Sequence, residues 1–209
     1  MTESAALDQL VEVMRRLRTG CPWDAEQTHL SLVQYLIEET AEAVEAIEAG
    51  DDQGMCEELG DLLFEIVFHA QLAAERGAFS FDDLAQGVAD KLIARHPYVF
   101  ADAEVPQDLM ASWEQRKPRT SAVDGLPEPL STLARAHKVI TRARHRGVSV
   151  NLPEEPITAA ETGTQLLALV ARASAAGVDP DQALRLAVRQ LEQSIRAAET
   201  SAQSGDTEV

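Results

Sequence analysis

The chain has 209 residues, 45% of them hydrophobic, a composition typical of a globular protein and unlike that of a collagen-like fibre or a disordered chain. Its net charge of −17 argues against general nucleic-acid binding, because such binding depends on Lys and Arg. No run approaches the ~18 apolar residues of a membrane helix, and the start "MTESAALDQL" is unlike a secretory signal, so we expect a cytoplasmic protein without a membrane segment.

Three helices are predicted in the first third of the chain, because apolar residues recur there at helical spacing. The first covers about residues 7–17. The second covers about residues 33–47 and ends at Gly50, and the third covers about residues 55–70. The connection "AGDDQG" between the second and third helices is short, so these two helices are expected to run antiparallel.

The rest of the chain is also predicted to be helical. Ser80 is an N-cap for a fourth helix, which ends before Pro97. After the Pro-rich span "KPRTSAVDGLPEPL", a basic helix is predicted over about residues 133–146, and one or two further helices over about 157–199. No stretch shows the alternation of a β-strand, so we predict an all-α fold built on a helix bundle.

The negative charge is concentrated between Thr19 and Glu75, where fourteen Asp and Glu residues occur without any Lys or Arg. A solvated helical face normally mixes both signs, because like charges three or four residues apart destabilise a helix. The segment is therefore predicted to have a positively charged partner nearby.

Five of these acids are spaced so that they face each other from two helices. Residues three or four apart share a helix face, and this spacing relates Glu38, Glu39 and Glu42 on the second helix and Glu58 and Asp61 on the third. Asp61 also falls within the apolar run "LGDLLFEIVFHA", where an unpaired buried carboxylate would be costly. Carboxylates suit hard divalent cations such as Mg²⁺ or Mn²⁺, so we predict a metal site here.

A di-iron centre is a less favoured alternative. Such centres place Glu-x-x-His motifs on inward-facing helices. Here His69 follows Glu65 at a spacing of four, and we interpret His69 as a hydrogen-bonded histidine on the flank of the third helix.

Several phrases of the sequence occur together in one known family. "EETAE" and "ELGD", with fifteen residues between them, match an E-E-x-x-E … E-x-x-D signature. "GCPWDAEQTH", "EELGDLLFEIVFHAQ", "DKLIARHPYVFAD" and "SWEQRK" accompany it in order. In these features the chain resembles the N-terminal half of the MazG family of nucleoside triphosphate pyrophosphohydrolases, closely over residues 7–117 and recognisably to about residue 150.

The resemblance implies a dimeric four-helix bundle that hydrolyses nucleoside triphosphates to monophosphates and pyrophosphate, in a role of cleaning the nucleotide pool. It implies Mg²⁺ as the cofactor, with Mn²⁺ as a possible substitute. The metal ligands that it implies are Glu39, Glu42, Glu58 and Asp61. Glu38 would orient or deprotonate the attacking water, or hold a further metal ion.

The resemblance also implies substrate-binding residues outside the acidic segment. Lys91 and Arg95, four residues apart, match basic residues that meet the phosphates, and Trp113 and Lys117 match positions near the nucleotide. On the residues alone, a solvated Lys91 or Arg95 and a Trp113 that only packs remain alternatives.

The C-terminal part resembles a shortened second copy of the domain. "AAETGTQLLALV" is similar to "CEELGDLLFEIV", but Thr164 stands where the first copy has Asp61, and no E-E-x-x-E helix precedes it. We therefore predict four parts: a MazG-type catalytic domain over 1–117, a Pro-rich linker with a basic helix over 118–156, a helical remnant without a metal site over 157–200, and a disordered tail over 201–209.

A second function remains open from the sequence. The chain would then be a non-catalytic regulatory helical dimer that binds a divalent ion or a nucleotide, and its basic helix would dock an acidic partner. Among enzymes, dUTP and phosphoribosyl-ATP hydrolases share the same general architecture.

Overall fold

The computed structural model describes residues 3–117 and 119–205, which form ten α-helices and no β-strand. The helices are α1 (Glu3–Gly20), α2 (Pro22–Glu26), α3 (Val33–Ala49), α4 (Asp52–Glu75), α5 (Phe81–Arg95), α6 (Pro97–Phe100), α7 (Leu109–Gln115), α8 (Thr132–His145), α9 (Ala159–Ala175) and α10 (Pro180–Gly205). The chain divides into two compact units, one ending at Ala94 and the other beginning at Arg95. The all-α prediction is confirmed.

α3 and α4 form a hairpin with the most extensive helix–helix contact of the first unit. Gly50 ends α3 in the left-handed conformation, with φ of 69°, which glycine adopts without a side-chain clash. Asp51 then caps α4, because its Oδ1 accepts hydrogen bonds from the N–H groups of Gln53 and Gly54, each at 3.1 Å. This two-residue connection makes the helices antiparallel, as predicted.

The core of the first unit lies where α1 and α4 pack together with the segment before α3. Its buried residues are Met14, Leu32, Val67, Phe68 and Leu72. At the end of α4 remote from the α3–α4 turn, Arg18 of α1 pairs with Glu75 of α4, Nη2 to Oε2, at 2.7 Å. Arg18 also donates a hydrogen bond to the carbonyl of Asp24, so one side chain ties α1, α2 and α4 together.

α5 begins with a reciprocal cap. The N–H and Oγ of Ser80 donate to Asp83 Oδ2 at 2.8 and 2.7 Å, and the N–H of Asp83 donates back to Ser80 Oγ at 3.2 Å, which confirms the predicted N-cap. No residue of α5 is buried, and Val88, Leu92 and Ile93 are each more than 40% exposed. Such an apolar face is typical of a surface that another protein surface covers. The homodimer remains a prediction.

The second unit is built around α8 and α10. Its buried core residues are Ala122, Val123, Val139, Ala143, Val188 and Ile195. Four of these six lie within residues 118–156, which the sequence suggested as a linker; here they are core, because α8 packs against α10 and the segment before α8 joins the same cluster. The unit also begins at Arg95 rather than after residue 117, since α7 packs against α8.

Basic residues of α8 and its C-cap residue Arg146 have acidic partners inside the second unit. The pairs are Arg135 with Glu192 at 2.7 Å, Arg142 with Glu114 at 3.7 Å, Arg144 with Glu154 at 3.1 Å and Arg146 with Glu199 at 3.7 Å. α8 therefore neutralises most of its charge within its own unit, which weakens the alternative that this helix binds an acidic partner.

α9 carries the segment that resembles a second metal-site helix. Glu161 is engaged in a capping box with Thr158, whose Oγ1 donates to Glu161 Oε2 at 2.7 Å and accepts from the N–H of Glu161 at 3.2 Å. α10 continues through Gly205, so residues 201–205 of the predicted tail are helical, and residues 206–209 lie outside the described part of the chain. None of the described helices combines the length and apolarity that crossing a membrane requires.

Candidate metal centre

Three carboxylates converge on the α3–α4 hairpin. Glu39 of α3 and Glu58 and Asp61 of α4 each offer one oxygen, and these atoms all lie within 4.8 Å of one another. The spacing of three residues places Glu58 and Asp61 on one face of α4, and the antiparallel hairpin brings Glu39 opposite that face. Oxygens this close can share one small cation as ligands.

The cluster repels itself electrostatically without a cation. Desolvation raises the pKa of Glu39, and the negative charges of Asp61, Glu42 and Glu38 raise it further. Desolvation also raises the pKa of Glu58, with further contributions from Glu42, Glu39 and Asp61. Because the surrounding sequence holds no Lys or Arg from Thr19 to Glu75, a bound cation is the natural source of compensating charge.

The remaining signature acids lie beside this group. Glu42 and Glu38 are both exposed. Glu42 lies on the turn of α3 after Glu39, and Glu38 directly precedes Glu39. Both raise the pKa of Glu39 through their charge, so they lie close enough to affect the cluster. The structure thus brings together three of the four predicted ligands, with Glu42 adjacent and Glu38 on the rim.

The burial of the acids on α4 differs from the expectation. Asp61 was expected among core positions, but it is exposed, whereas Glu65, one turn further along, is only 3% exposed. The reason is that Asp61 turns toward the open side of the hairpin with Glu58, while Glu65 lies on a turn that the core encloses. Sequence reasoning missed Glu65, although its position in "LGDLLFEIVFHA" flanked by core residues was a signal.

His29 and His69 form a hydrogen-bonded pair, and neither belongs to the carboxylate group. Their Nδ1 atoms are 2.8 Å apart, the ring planes lie within 9° and the ring centroids are 5.1 Å apart. Rings with this centroid separation meet edge to edge, so one Nδ1 donates and the other accepts. The interpretation of His69 as a hydrogen-bonded histidine is confirmed.

The donor set fits a hard divalent cation better than a di-iron centre. The converging atoms are all carboxylate oxygens, which is the set that Mg²⁺ and Mn²⁺ prefer. One Glu-x-x-His spacing does occur, Glu26 to His29, but Glu26 is exposed at the end of α2 and His29 is bonded to His69. Among the described residues, the pattern of a di-iron site is therefore not assembled.

The predicted substrate-binding residues fall on α5 and in the second unit. Lys91 is exposed on α5. Arg95, at the end of α5, lies over the ring of Trp113 with Cζ 4.9 Å from the centroid, and Lys117 Nζ lies 6.0 Å from the same ring. The amine of Lys117 is also paired with the buried carboxylate of Glu114. Arg95, Trp113 and Lys117 are thus in contact with one another through the indole.

A family model for the MazG nucleotide pyrophosphohydrolase domain matches residues 27–100. The matched span contains the whole carboxylate group and both Lys91 and Arg95. Trp113 and Lys117 lie beyond it.

Similar proteins extend the match over most of the chain. An uncharacterized 26.1 kDa protein of Streptomyces cacaoi is 46% identical over 93% of this chain and 83% of its own length. The "Nucleoside triphosphate pyrophosphohydrolase/pyrophosphatase MazG" of Thermotoga maritima is 37% identical over 90% of this chain and 84% of its own length. The "Nucleoside triphosphate pyrophosphohydrolase" of Escherichia coli K12 is 44% identical over 68% of this chain, and the match spans only 58% of the E. coli protein.

Proposed function

This chain belongs to the MazG family, and from that premise we propose that it hydrolyses nucleoside triphosphates between the α- and β-phosphates, giving a nucleoside monophosphate and pyrophosphate. The observation that carries the proposal is the convergence of Glu39, Glu58 and Asp61 within 4.8 Å, on a hairpin that belongs to a sequence segment without Lys or Arg. A triphosphate carries about four negative charges at neutral pH, so this surface can accept it only through a cation. Mg²⁺ is the cation proposed, with Mn²⁺ as a substitute.

The carboxylates of the hairpin would act together in this reaction. Glu39, Glu58 and Asp61 would hold the cation, and Glu42, on the turn of α3 after Glu39, would complete the ligand set. When bound, a divalent cation neutralises phosphate charge and lowers the pKa of water. Glu38, exposed at the rim, would orient a water toward the α-phosphorus and accept its proton.

The basic and aromatic residues outside the acidic segment would bind the substrate. Lys91 and Arg95 would offset charge on the leaving pyrophosphate. Trp113 and Lys117 would contact the nucleotide, and the resemblance to the family supports these assignments. We further propose that the enzyme acts as a cytoplasmic homodimer in cleaning the nucleotide pool.

The first test is a panel of ribo- and deoxyribonucleoside triphosphates, with dUTP and phosphoribosyl-ATP included, in which pyrophosphate is measured with and without Mg²⁺. We expect release of pyrophosphate only with the cation. Glu42→Gln, nearly isosteric, should abolish turnover while the fold remains intact, and full activity in this variant would contradict the assignment. Glu45→Gln, an exposed acid one turn further along α3, is the matched control and should leave the rate unchanged.

The same panel distinguishes the alternative function. A chain that binds Mg²⁺ and nucleotide but releases pyrophosphate from none of the triphosphates would be a non-catalytic binding protein.

A further inference from the structure

Glu65 is a buried carboxylate whose charge is not compensated by any described side chain. It is 3% exposed, and its Oε2 is buried without a hydrogen-bond partner in the described part of the chain. A buried carboxylate oxygen without a partner is costly, of order 1–3 kcal/mol or more, so it calls for an explanation. It sits on α4, one helical turn after Asp61.

The surroundings of Glu65 point to a partner on the side of the carboxylate group. The charges that act on Glu65 are those of Glu39 and Asp61, two members of that group. On the opposite side, one turn further along α4, His69 is occupied at Nδ1 by His29, and its Nε2 also has no partner, so it does not donate to Glu65. Glu65 follows Asp61 by four residues and therefore shares its face of α4, so the waters around a cation held at Asp61 can supply the missing donor.

Glu65 is not one of the residues whose oxygens converge in the carboxylate group. Its oxygens do not belong to the set of Glu39, Glu58 and Asp61 atoms that lie within 4.8 Å of one another. Mg²⁺ and Mn²⁺ in protein sites usually keep several waters of hydration, and these waters extend the reach of the ion by one hydrogen bond. Residues that accept such hydrogen bonds orient the ion and contribute to its affinity.

We propose that Glu65 is a positioning residue that accepts, at its buried Oε2, a hydrogen bond from a water in the hydration shell of the cation held by Glu39, Glu58 and Asp61. The proposal rests on the divalent-cation site of the proposed function. Glu65 would then act on the cation through a water molecule, from the turn of α4 that follows Asp61. The proposal also explains why the fold retains an unpaired carboxylate at the edge of a hydrophobic core.

The test measures Mn²⁺ binding to the full-length protein by electron paramagnetic resonance of the free ion, without nucleotide, so that turnover is not the readout. Glu65→Met removes the acceptor and fills a similar volume. Glu65→Gln removes the charge but keeps an acceptor oxygen. Glu45→Met and Glu45→Gln, on the exposed surface of α3, make the same changes outside the site.

We expect Glu65→Met to weaken Mn²⁺ binding about 10-fold or more and Glu65→Gln to retain most of the affinity, as is typical of partners outside the ligand shell. The melting temperature without Mn²⁺ should rise in Glu65→Met, because an unpaired buried carboxylate is removed. The two Glu45 variants should bind Mn²⁺ within about 2-fold of the unaltered chain, since an exposed charge is screened.

Three results would overturn the proposal. Equal Mn²⁺ affinity of Glu65→Met and Glu45→Met would show that Glu65 has no role toward the cation. A loss in Glu65→Gln as large as that in Asp61→Asn would make Glu65 a direct ligand instead. Absence of Mn²⁺ binding by the unaltered chain would show that the metal site does not exist and would contradict the proposed function as well. The first two results contradict only the role of Glu65.

Discussion

Glu114 offers the sharpest test of how the second unit is held together. It is 5% exposed in α7 and faces three cations: Lys117, Arg119, whose Nη1 lies 2.6 Å from Oε1, and Arg142, whose Nε lies 3.7 Å from the same oxygen. Burial alone would raise the pKa of Glu114, but the hydrogen bond from Lys117 and the charges of Arg119 and Arg142 lower it. Glu114 is therefore a charged group at the centre of a buried ion cluster.

Glu114→Gln keeps the shape of the side chain and removes its charge. Lys117 and Arg119 are partly exposed and can turn toward solvent, but the Arg142 side chain is only 8% exposed. Removing one partner of a buried pair costs about 3–5 kcal/mol. Because Arg142 retains a hydrogen bond from Nη1 to the carbonyl of Asp124 at 3.0 Å, we expect the lower end, about 3 kcal/mol, or about 12 °C in melting temperature.

The two tryptophans of the chain make this loss measurable in one unit at a time. Trp113 adjoins Glu114, and Trp23 lies in the first unit against Tyr35 and Phe68. Replacing Trp23 with Phe leaves Trp113 as the only tryptophan, so denaturant unfolding followed by tryptophan fluorescence reports on the second unit. Glu155→Gln, an exposed acid of the same unit, is the control and should change the free energy of unfolding by less than about 0.5 kcal/mol.

The pH dependence gives an independent check. A carboxylate with a lowered pKa stabilises the fold above its unfolded pKa, about 4.3, and the contribution is lost as the pH falls through the lowered folded value. This acid-side loss should be smaller in Glu114→Gln than in the unaltered chain. Arg142→Met should recover part of the stability in the Glu114→Gln background, because the unpaired cation is then absent. The reasoning is refuted if Glu114→Gln unfolds with the same free energy as Glu155→Gln.

Three further predictions concern the acid cluster and α9. Asp61→Asn should raise the melting temperature of the cation-free chain, since one of three clustered like charges is removed. It should also reduce pyrophosphate release more than about 100-fold. A lower melting temperature would contradict the conclusion that the three carboxylates repel one another. The pKa values of Glu39 and Glu58 are raised in the folded chain, so these groups favour the cation-free fold at low pH, where they are protonated. This contribution to stability is lost as the pH rises through the raised pKa values. Protons therefore compete with the ion, and Mn²⁺ affinity should fall as the pH is lowered from about 7 toward 5, so an affinity that stays constant would oppose this assignment. Thr158→Ala should lower the stability of α9 by about 1 kcal/mol, because the N-cap is lost, and hydrogen exchange of the α9 amides should become faster. Pyrophosphate release should be unchanged. A slower reaction would show that α9 contributes to the active site.

The hairpin and its acids were largely predictable from the sequence, because the signals are local. Gly50 has the conformational freedom that a helix end requires, and the spacing of Glu58 and Asp61 fixes their common face. Ser80 likewise caps α5 through residues close to it in the chain. Each of these features depends on neighbours within four residues, which sequence patterns report well.

The features that the sequence did not reveal depend on contacts between distant segments. Asp61 and Glu65 both lie in the apolar run "LGDLLFEIVFHA", and only the packed structure shows that Glu65 is the buried one of the two. His29 and His69 are 40 residues apart, and no local pattern pairs them. The composition of the Pro-rich span predicts a linker, yet Ala122 is completely buried once α8 and α10 pack over it.

The turn at Gly50 and Asp51 also has a consequence for the order in which the chain folds. The three converging carboxylates lie between Glu39 and Asp61, a stretch of 23 residues joined by this single turn. Contacts between residues close in sequence form with little loss of chain entropy and are typical of fast steps in folding. We therefore expect the cation-binding geometry to form when the α3–α4 hairpin closes, before α1 completes the core around Met14, so that a divalent ion can bind and stabilise an early folding intermediate.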